Sequence, residues 1–351
     1  MSGLVVENEC GTVDDKDNAV PATASPVCTS RGEVTGEVVF LGTGASTGVP
    51  HLHHIMDPDT YLDDAKLGKA RKQEVLNSIK ASWGDPQCNC NYRDNVSLLV
   101  RYRGAEDGVE RVAIIDVGKT FREGVIRWFP EHKVRRVDAI VITHGHADAF
   151  FGLDDVRSVM PREGPGSSMP VYLSDVCREA VQRTFPYLFP VSRSPNENRF
   201  VSKIDWLSIA NYEPFSPIPG LEMLPLPVMH GEDMECLGFM FGARDVVVYL
   251  SDISRMLPQT MALIMEAKER AGGLALLVLD ALHPSREYFS HYTLDQAVDL
   301  AREILADKTL LIGMGCGFEH EAHNAQLAAL WEKEGLDIQL ARDGLQLDFS
   351  L

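Results

Sequence analysis

The sequence predicts an α/β fold in which two β-sheets pack face to face with helices outside. Three observations carry this. Apolar runs of strand length recur through both halves of the chain, and most are followed by a stretch of helical length and amphipathic character. The chain has 351 residues, enough for one large domain or two small ones. Hydrophobic residues make up 45% of it, which supports a sizeable core and excludes general disorder.

Residues 1–33 are rich in Ser, Thr, Asp, Glu and Pro without periodicity, so they read as a mobile tail ahead of a domain spanning 34–351. Glu37 to Leu41 is a first strand, followed by a glycine-rich turn. Residues 51–87 form an insertion with a charged, helical middle from Leu62 to Ile79. Asn95 to Val100 and Val112 to Ile115 are neighbouring strands, and Thr120 to Phe129 is a helix ended by Pro130. Asp138 to Ile142 is a buried strand. Leu153 to Val159 opens a helix with Asp154 and Asp155 in its first turn, where negative charge suits the helix dipole. Val171 to Leu173 is a short strand, and Asp175 to Leu188 is helical, broken at Pro186. Residues 190–220 carry many Pro, Ser and Asn residues and form an irregular lid or edge.

The second half repeats the logic. Met223 to Val228, Leu237 to Phe241 and Val246 to Leu250 are strands, then Pro258 to Ala271 is a helix. Leu274 to Leu279 is a strand, Leu294 to Ala306 an amphipathic helix, and Thr309 to Ile312 a strand. Ala322 to Glu334 is a final helix, stopped by Gly335.

Charge and cysteine usage narrow the function classes. A net charge of −18 argues against a broad nucleic-acid footprint, although it leaves room for a small phosphate-bearing substrate. Cys10, Cys28, Cys88, Cys90, Cys177, Cys236 and Cys316 are odd in number and form no evident disulfide framework. No apolar run approaches membrane length, and the N-terminus lacks the basic and apolar regions of a secretory signal. A reducing, cytoplasmic setting with no membrane partner is the simplest expectation.

The chemistry concentrates in Thr143-His144-Gly145-His146-Ala147-Asp148, directly after the buried strand. Alternate residues leaving a strand point the same way, so two imidazoles and a carboxylate converge at the end of a rigid element. An isolated histidine is usually a surface residue or a satisfied core residue. His-x-His-x-Asp at the mouth of an apolar strand instead suits a divalent metal, which can generate hydroxide from water near neutral pH.

This motif resembles the His-x-His-x-Asp-His signature of the metallo-β-lactamase-fold hydrolases. Four further segments match that fold in order. Phe40 to Pro50 resembles the opening strand and glycine loop of the branch containing ribonuclease Z and the cyclic-phosphate phosphodiesterases. Ile114-Ile115-Asp116-Val117-Gly118 resembles an Ile-Asp-x-Gly strand end, and Pro227 to Gly231 a third metal-ligand motif. Tyr249-Leu250-Ser251-Asp252 resembles the strand end whose aspartate bridges two metals. Gly152 to Arg157 and Ser290 to Ala297 are similar to the phosphoribosyl cyclic phosphate phosphodiesterase-like branch. The resemblance runs from about residue 36 to about 348 and implies an αββα four-layer sandwich.

It also implies a site. His144, His146 and His230 would hold a first metal, Asp148 a second, and Asp252 would bridge them. Asp116 would orient a ligand histidine or a loop. One or two divalent ions are expected, with manganese, iron and zinc all compatible with mixed imidazole and carboxylate ligands. Two departures stand out. Ala149 occupies the place of a second-metal histidine and cannot ligate. The C-terminal ligand motif reads Gly313-Met314-Gly315-Cys316-Gly317-Phe318-Glu319-His320, with no histidine in the usual place. His320 is the substitute, against the alternative of an ordinary helix N-terminal residue, and His323 is the second choice. The resemblance further implies a structural zinc on Cys88, Cys90 and Cys316, with His53, His54 or His323 as fourth ligand.

A leaving alkoxide needs a proton donor. His291 is the choice, matching a histidine that the resembled enzymes place near the scissile group; the alternative is a loop histidine beside the helix cap Thr293. His283 is a second pocket candidate. Arg157 is a possible phosphate contact, although an arginine on a helix is more often solvated. The expected function is metal-dependent hydrolysis of a small cyclic or nucleotide-like phosphodiester by a metal-held hydroxide. The alternatives are a lactone or thioester hydrolase of the same fold, a tRNA 3′-processing nuclease, and a non-catalytic binding protein. The resemblance allows a homodimer.

Overall fold

In strand after strand, consecutive side chains enter different cores, and this places each strand between two layers. Val38 and Phe40 belong to one apolar cluster, Val39 and Leu41 to another. Val247 and Tyr249 join the first cluster, while Val248 and Leu250 enter a third. Such alternation is what a strand buried on both faces requires. The computed structural model describes residues 35–63, 68–104, 107–160, 168–189 and 202–350, all within one compact unit, Glu33–Leu351. The expected tail, 1–33, lies outside the described residues.

The first sheet contains β1 (Thr35–Gly42), β2 (Ser97–Arg103), β3 (Glu110–Ile115), β4 (Ala139–Val141), β5 (Met169–Leu173) and β6 (Ile204–Ser208). The second contains β7 (Phe215–Ile218), β8 (Leu221–His230), β9 (Met234–Phe241), β10 (Val247–Leu250), β11 (Leu276–Asp280), β12 (Lys308–Ile312) and β13 (Ile338–Leu340). The last strand, β14 (Gln346–Ser350), returns to the first sheet beside β1. The strand orders are 14-1-2-3-4-5-6 and 13-12-11-10-9-8-7.

The helices are α1 (Leu52–Met56), α2 (Pro58–Asp63), α3 (Lys69–Ala81), α4 (Phe121–Glu131), α5 (Ala147–Phe150), α6 (Asp175–Thr184), α7 (Pro258–Ala271), α8 (Leu294–Ile304) and α9 (His320–Glu334). Trp128 and Phe129 of α4, Phe150 of α5 and Val181 of α6 cover the outer face of the first sheet. Ile264 of α7, Val298 and Ile304 of α8 and Leu327 of α9 cover the outer face of the second. The inner faces pack on each other, Phe40, Val100 and Ile115 meeting Leu237, Phe239 and Val278. The result is an αββα sandwich with three apolar layers, each fully buried Val, Leu or Ile contributing about 1.5–3 kcal/mol.

Several elements differ from the sequence expectation. The α4 helix continues through Pro130 to Glu131. Proline there removes only a bond to the carbonyl of Ile126, a residue 56% exposed, in the last turn. Phe151–Ser158 is a 3-10 helix rather than an α-helix. Its Gly152 N–H donates to Val117 O at 2.7 Å, which ties it to the end of β3. The segment expected to be irregular over 190–220 supplies β6 and β7, with 190–201 outside the described residues.

Strand direction then places the site. β3 and β4 are parallel, as are β10, β11 and β12. β8 and β10 both run antiparallel to β9, so they share a direction. The carboxyl ends of these strands carry Asp116, His144, His146, His230, Asp252 and Asp280. Leu237 N–H of β9 donates to Thr143 O at 3.0 Å and ties the two sheets at this edge. Clefts at the carboxyl ends of strands are where α/β folds bind ligands.

Candidate active site and metal centre

His144 leaves β4 with its ring already oriented. Its Nδ1 lies 2.8 Å from Thr143 Oγ1, which donates to Asp116 Oδ2 at 2.8 Å. The Thr143 N–H donates to Asp116 Oδ1 at 2.9 Å. Since the threonine proton is committed to the carboxylate, the proton between threonine and imidazole comes from Nδ1, and Nε2 is left with a lone pair. That Nε2 is buried and has no hydrogen-bond partner among the described residues. An orphaned buried acceptor is costly unless something electropositive meets it.

His230, the last residue of β8, is fixed in the same sense. Its Nδ1 donates to Ser290 O at 2.8 Å, so its Nε2 is an acceptor. That Nε2 faces His146 Nδ1 at 3.3 Å. Two zinc–imidazole bonds of about 2.0–2.1 Å at the tetrahedral angle put their nitrogens about 3.3 Å apart. Ligand nitrogens of His144, His146 and His230 all lie within 4.8 Å of one another. Burial is the main force on both His144, lowered to about 4, and His146, also lowered, so both rings are neutral near pH 7 as ligation requires. The donor set, the orientation of His144 and His230 and the spacing therefore fit a divalent ion.

Asp252 follows β10 in the left-handed region, φ +50. It groups with His144 and Cys236 on one side and with His230 and His291 on the other, each group within 4.8 Å. Burial alone would raise its pKa, but His144, His291, His230 and His146 more than offset this, and it stays below the usual carboxylate range. His291 donates from Nδ1 to Asp280 Oδ2 at 2.8 Å, and the same nitrogen is 4.0 Å from Asp252 Oδ1. Burial pulls the His291 imidazolium down, but Asp280, Asp252 and Asp148 raise it to about 9. Asp280 was not singled out from the sequence. Its signal was available: a carboxylate ending an apolar strand, as at Asp116 and Asp252.

Asp148 lies in the first turn of α5, pressed against the end of β3. A Cβ on Gly118 would sit 1.8 Å from Asp148 O, so only glycine permits that approach. Burial, then Asp252, raises Asp148 to about 6, with Lys119 acting against them. Asp148 joins no three-residue ligand group among the described residues, and Ala149 beside it is buried in the outer core.

Other expected residues sit elsewhere. His320 is not brought to the His144 group. It lies with Cys90 and Glu321, its Nδ1 facing Arg93 Nη2 at 3.2 Å and its Nε2 facing Asn324 Nδ2 at 3.1 Å. Arg93 is itself buried beneath the glycine loop, and this polar contact holds His320 there. His323 instead bonds to the cap of α9, its Nδ1 accepting the Glu319 N–H at 3.1 Å. Nor do Cys88, Cys90 and Cys316 converge. Cys316 Sγ lies 3.4 Å from His51 Nδ1, and His51, His54 and Cys316 form the ligand group there. Cys90 goes with His320, and Cys88 is exposed and in no group among the described residues. Asn77 Nδ2 of α3 donates to Cys316 O at 2.9 Å, which ties α3 to the segment after β12, and Glu74 ties it to the loop after β11. Glu74 takes His283 Nε2–H at 3.1 Å and Arg286 Nη2–H at 3.2 Å, which makes His283 a tether. Arg157 pairs with Asp154 at 3.2 Å.

Residues 111–314, more than half of the chain, match the family described as "Beta-lactamase superfamily domain". The protein belongs to this family, whose fold is hydrolytic and metal-dependent. Among solved structures, it is 29% identical to a new diphosphatase from the PhnP family, covering 90% of this chain and 98% of that one at a TM-score of 0.66. Zn2+-bound PqqB from Methylobacterium extorquens is 17% identical, with 89% and 100% covered and a TM-score of 0.61. The short form of human tRNase Z is 16% identical, with 89% and 98% covered and a TM-score of 0.54. These last two share the fold. An octanoyltransferase of Porphyromonas gingivalis (strain ATCC BAA-308 / W83) is 23% identical over 262 residues, 72% of this chain. The chain spans 46% of that protein's length. No helix among the described residues is long and apolar enough to cross a membrane.

Proposed function

We propose that the protein is a metal-dependent phosphodiesterase acting on a small cyclic or nucleotide-like phosphodiester. The observation that carries this is the convergence of three imidazoles, two of them oriented by outer hydrogen bonds, with Asp252, backed by a His291–Asp280 pair beside them. His144, His146 and His230 would hold one divalent ion, zinc or manganese. Asp252 would reach from it towards a second held by Asp148, which lacks a histidine partner at Ala149. A bound ion would supply Lewis acidity, polarising the phosphoryl oxygen and lowering the pKa of water.

The chain's own groups do the rest. Asp116 and Thr143 keep His144 in one tautomer, and Ser290 O does the same for His230. His291 would give its proton to the leaving oxygen as the phosphorus–oxygen bond breaks, and Asp280 stabilises the charged ring before transfer. The 29% identical diphosphatase supports phosphorus rather than carbonyl chemistry. The octanoyltransferase likeness does not assign acyl transfer to the matched segment, because less than half of that protein is covered. His51, His54 and Cys316 would hold a structural ion.

The test is turnover of bis(p-nitrophenyl) phosphate by metal-free protein refilled with manganese or zinc, with p-nitrophenyl hexanoate alongside. Metal-dependent diester cleavage, abolished in Asp252→Ala, is expected. Ester cleavage without diester cleavage would sink the phosphodiesterase reading in favour of acyl hydrolysis.

A further inference from the structure

Phe289 occupies a position that turn chemistry does not explain. Tyr288 and His291 pair across a tight turn, so Phe289 and Ser290 are its two central residues. Such positions favour Gly, Pro, Asn, Asp or Ser, each for a backbone reason that phenylalanine does not share. Phe289 is 82% exposed, belongs to none of the buried cores and makes no ring contact among the described residues.

The turn is nevertheless firmly held. His283 Nδ1 accepts the N–H groups of Ser285 and Arg286 at 3.1 and 2.8 Å. Arg286 reaches Glu74 and lies over the Tyr288 ring at 5.2 Å. At the tip, Ser290 O receives His230 Nδ1–H, and just beyond it His291 is tied to Asp280. The Phe289 ring rests against the turn after His230: a Cβ on Gly231 would meet its Cε2 at 3.1 Å and its Cδ2 at 3.4 Å. Gly231 is in turn anchored by its N–H to Ser254 Oγ at 2.9 Å. The turn thus carries an exposed aromatic face against Gly231, next to His230, one residue before Ser290 and two before His291.

We infer that Phe289 is a specificity-determining platform that stacks a planar aromatic or heteroaromatic group of the substrate, such as a nucleobase, on the leaving-group side of the site. This rests on the phosphodiesterase reading for the scissile phosphate but concerns a different part of the substrate. A ring on a firmly held turn costs less to order on binding than one on a loose loop, and base–aromatic stacking tolerates any base because each offers a π-face.

Calorimetric binding of adenosine 5′-monophosphate and ribose 5-phosphate to the metal-loaded protein tests it, since the two ligands share a phosphate and differ by the base. The wild type should prefer the nucleotide by about tenfold to a hundredfold, the range of one stacked base. Phe289→Ala should erase the preference by weakening the nucleotide alone, and Phe289→Trp should restore it. Equal affinities in the wild type, a preference that survives Phe289→Ala, or binding of neither ligand overturns the inference. If bis(p-nitrophenyl) phosphate is not cleaved while the Phe289-dependent preference is present, the catalytic reading fails and the platform stands.

Discussion

Replacing Thr143 by valine removes one hydroxyl from the site while keeping its volume. That hydroxyl takes His144 Nδ1–H at 2.8 Å and donates to Asp116 Oδ2 at 2.8 Å. Without it, His144 Nδ1 keeps only the Cys236 thiol at 3.7 Å among the described residues, so ring and tautomer are no longer fixed. Loss of such an outer partner lowers metal affinity by about ten- to a hundredfold, or about 1.4–2.7 kcal/mol. Asp116 keeps the Thr143 N–H at 2.9 Å, so the loop should hold its course. The metal-free protein should lose about 1–3 kcal/mol from a buried acceptor left short of one donor. Zinc competition against a chromophoric chelator measures the first quantity and urea unfolding the second. Thr143→Ser should recover both. Valine that lowers stability while metal affinity stays within about twofold of wild type would refute the orienting role and leave the hydroxyl purely structural.

Two further substitutions separate the parts of the site. His291→Gln should lower kcat for the diester by about a hundredfold to ten-thousandfold while metal content stays intact. Asp280, Asp252 and Asp148 raise the His291 value to about 9 in the metal-free site, so the wild-type rate should fall with rising pH on a limb at or below that value. A bound ion would move this limb lower, so a rate still climbing beyond it removes His291 as the acid. His320→Ala should leave the metal at His144 in place, as measured by metal analysis, yet lower stability because the Nη2 of buried Arg93 loses its contact at 3.2 Å while Nη1 keeps Thr43 and Ala341. Loss of the active-site metal in this variant would reinstate His320 as a ligand.

The parts of the fold legible in the sequence are those written in local signals. The α7 helix has both predicted bounds, Pro258 and Ala271, with proline in its first turn and Gly272 in the left-handed region at φ +78 behind it. β6 was hidden because it is an edge strand with one buried residue in five, so no period marks it. β13 was hidden by its length of three residues. In the site, the spacing of His144 and His146 on one strand end is local, and the structure brings them together with His230. The pairing of Cys316 with His51 spans 265 residues, and no local pattern announces it. The displacement of His320 is decided by Arg93, 227 residues away, which burial commits to a polar partner. Asp280 was legible as a strand-end carboxylate, but its bond to His291 depends on the turn between them.

The measurement that bears most directly on the account is an anomalous difference map from zinc-soaked crystals, collected on both sides of the zinc absorption edge. The account predicts a peak contacted by His144 Nε2, His146 Nδ1 and His230 Nε2, with Asp252 adjacent. Crystals that take up zinc elsewhere but show no peak between those three nitrogens would contradict it.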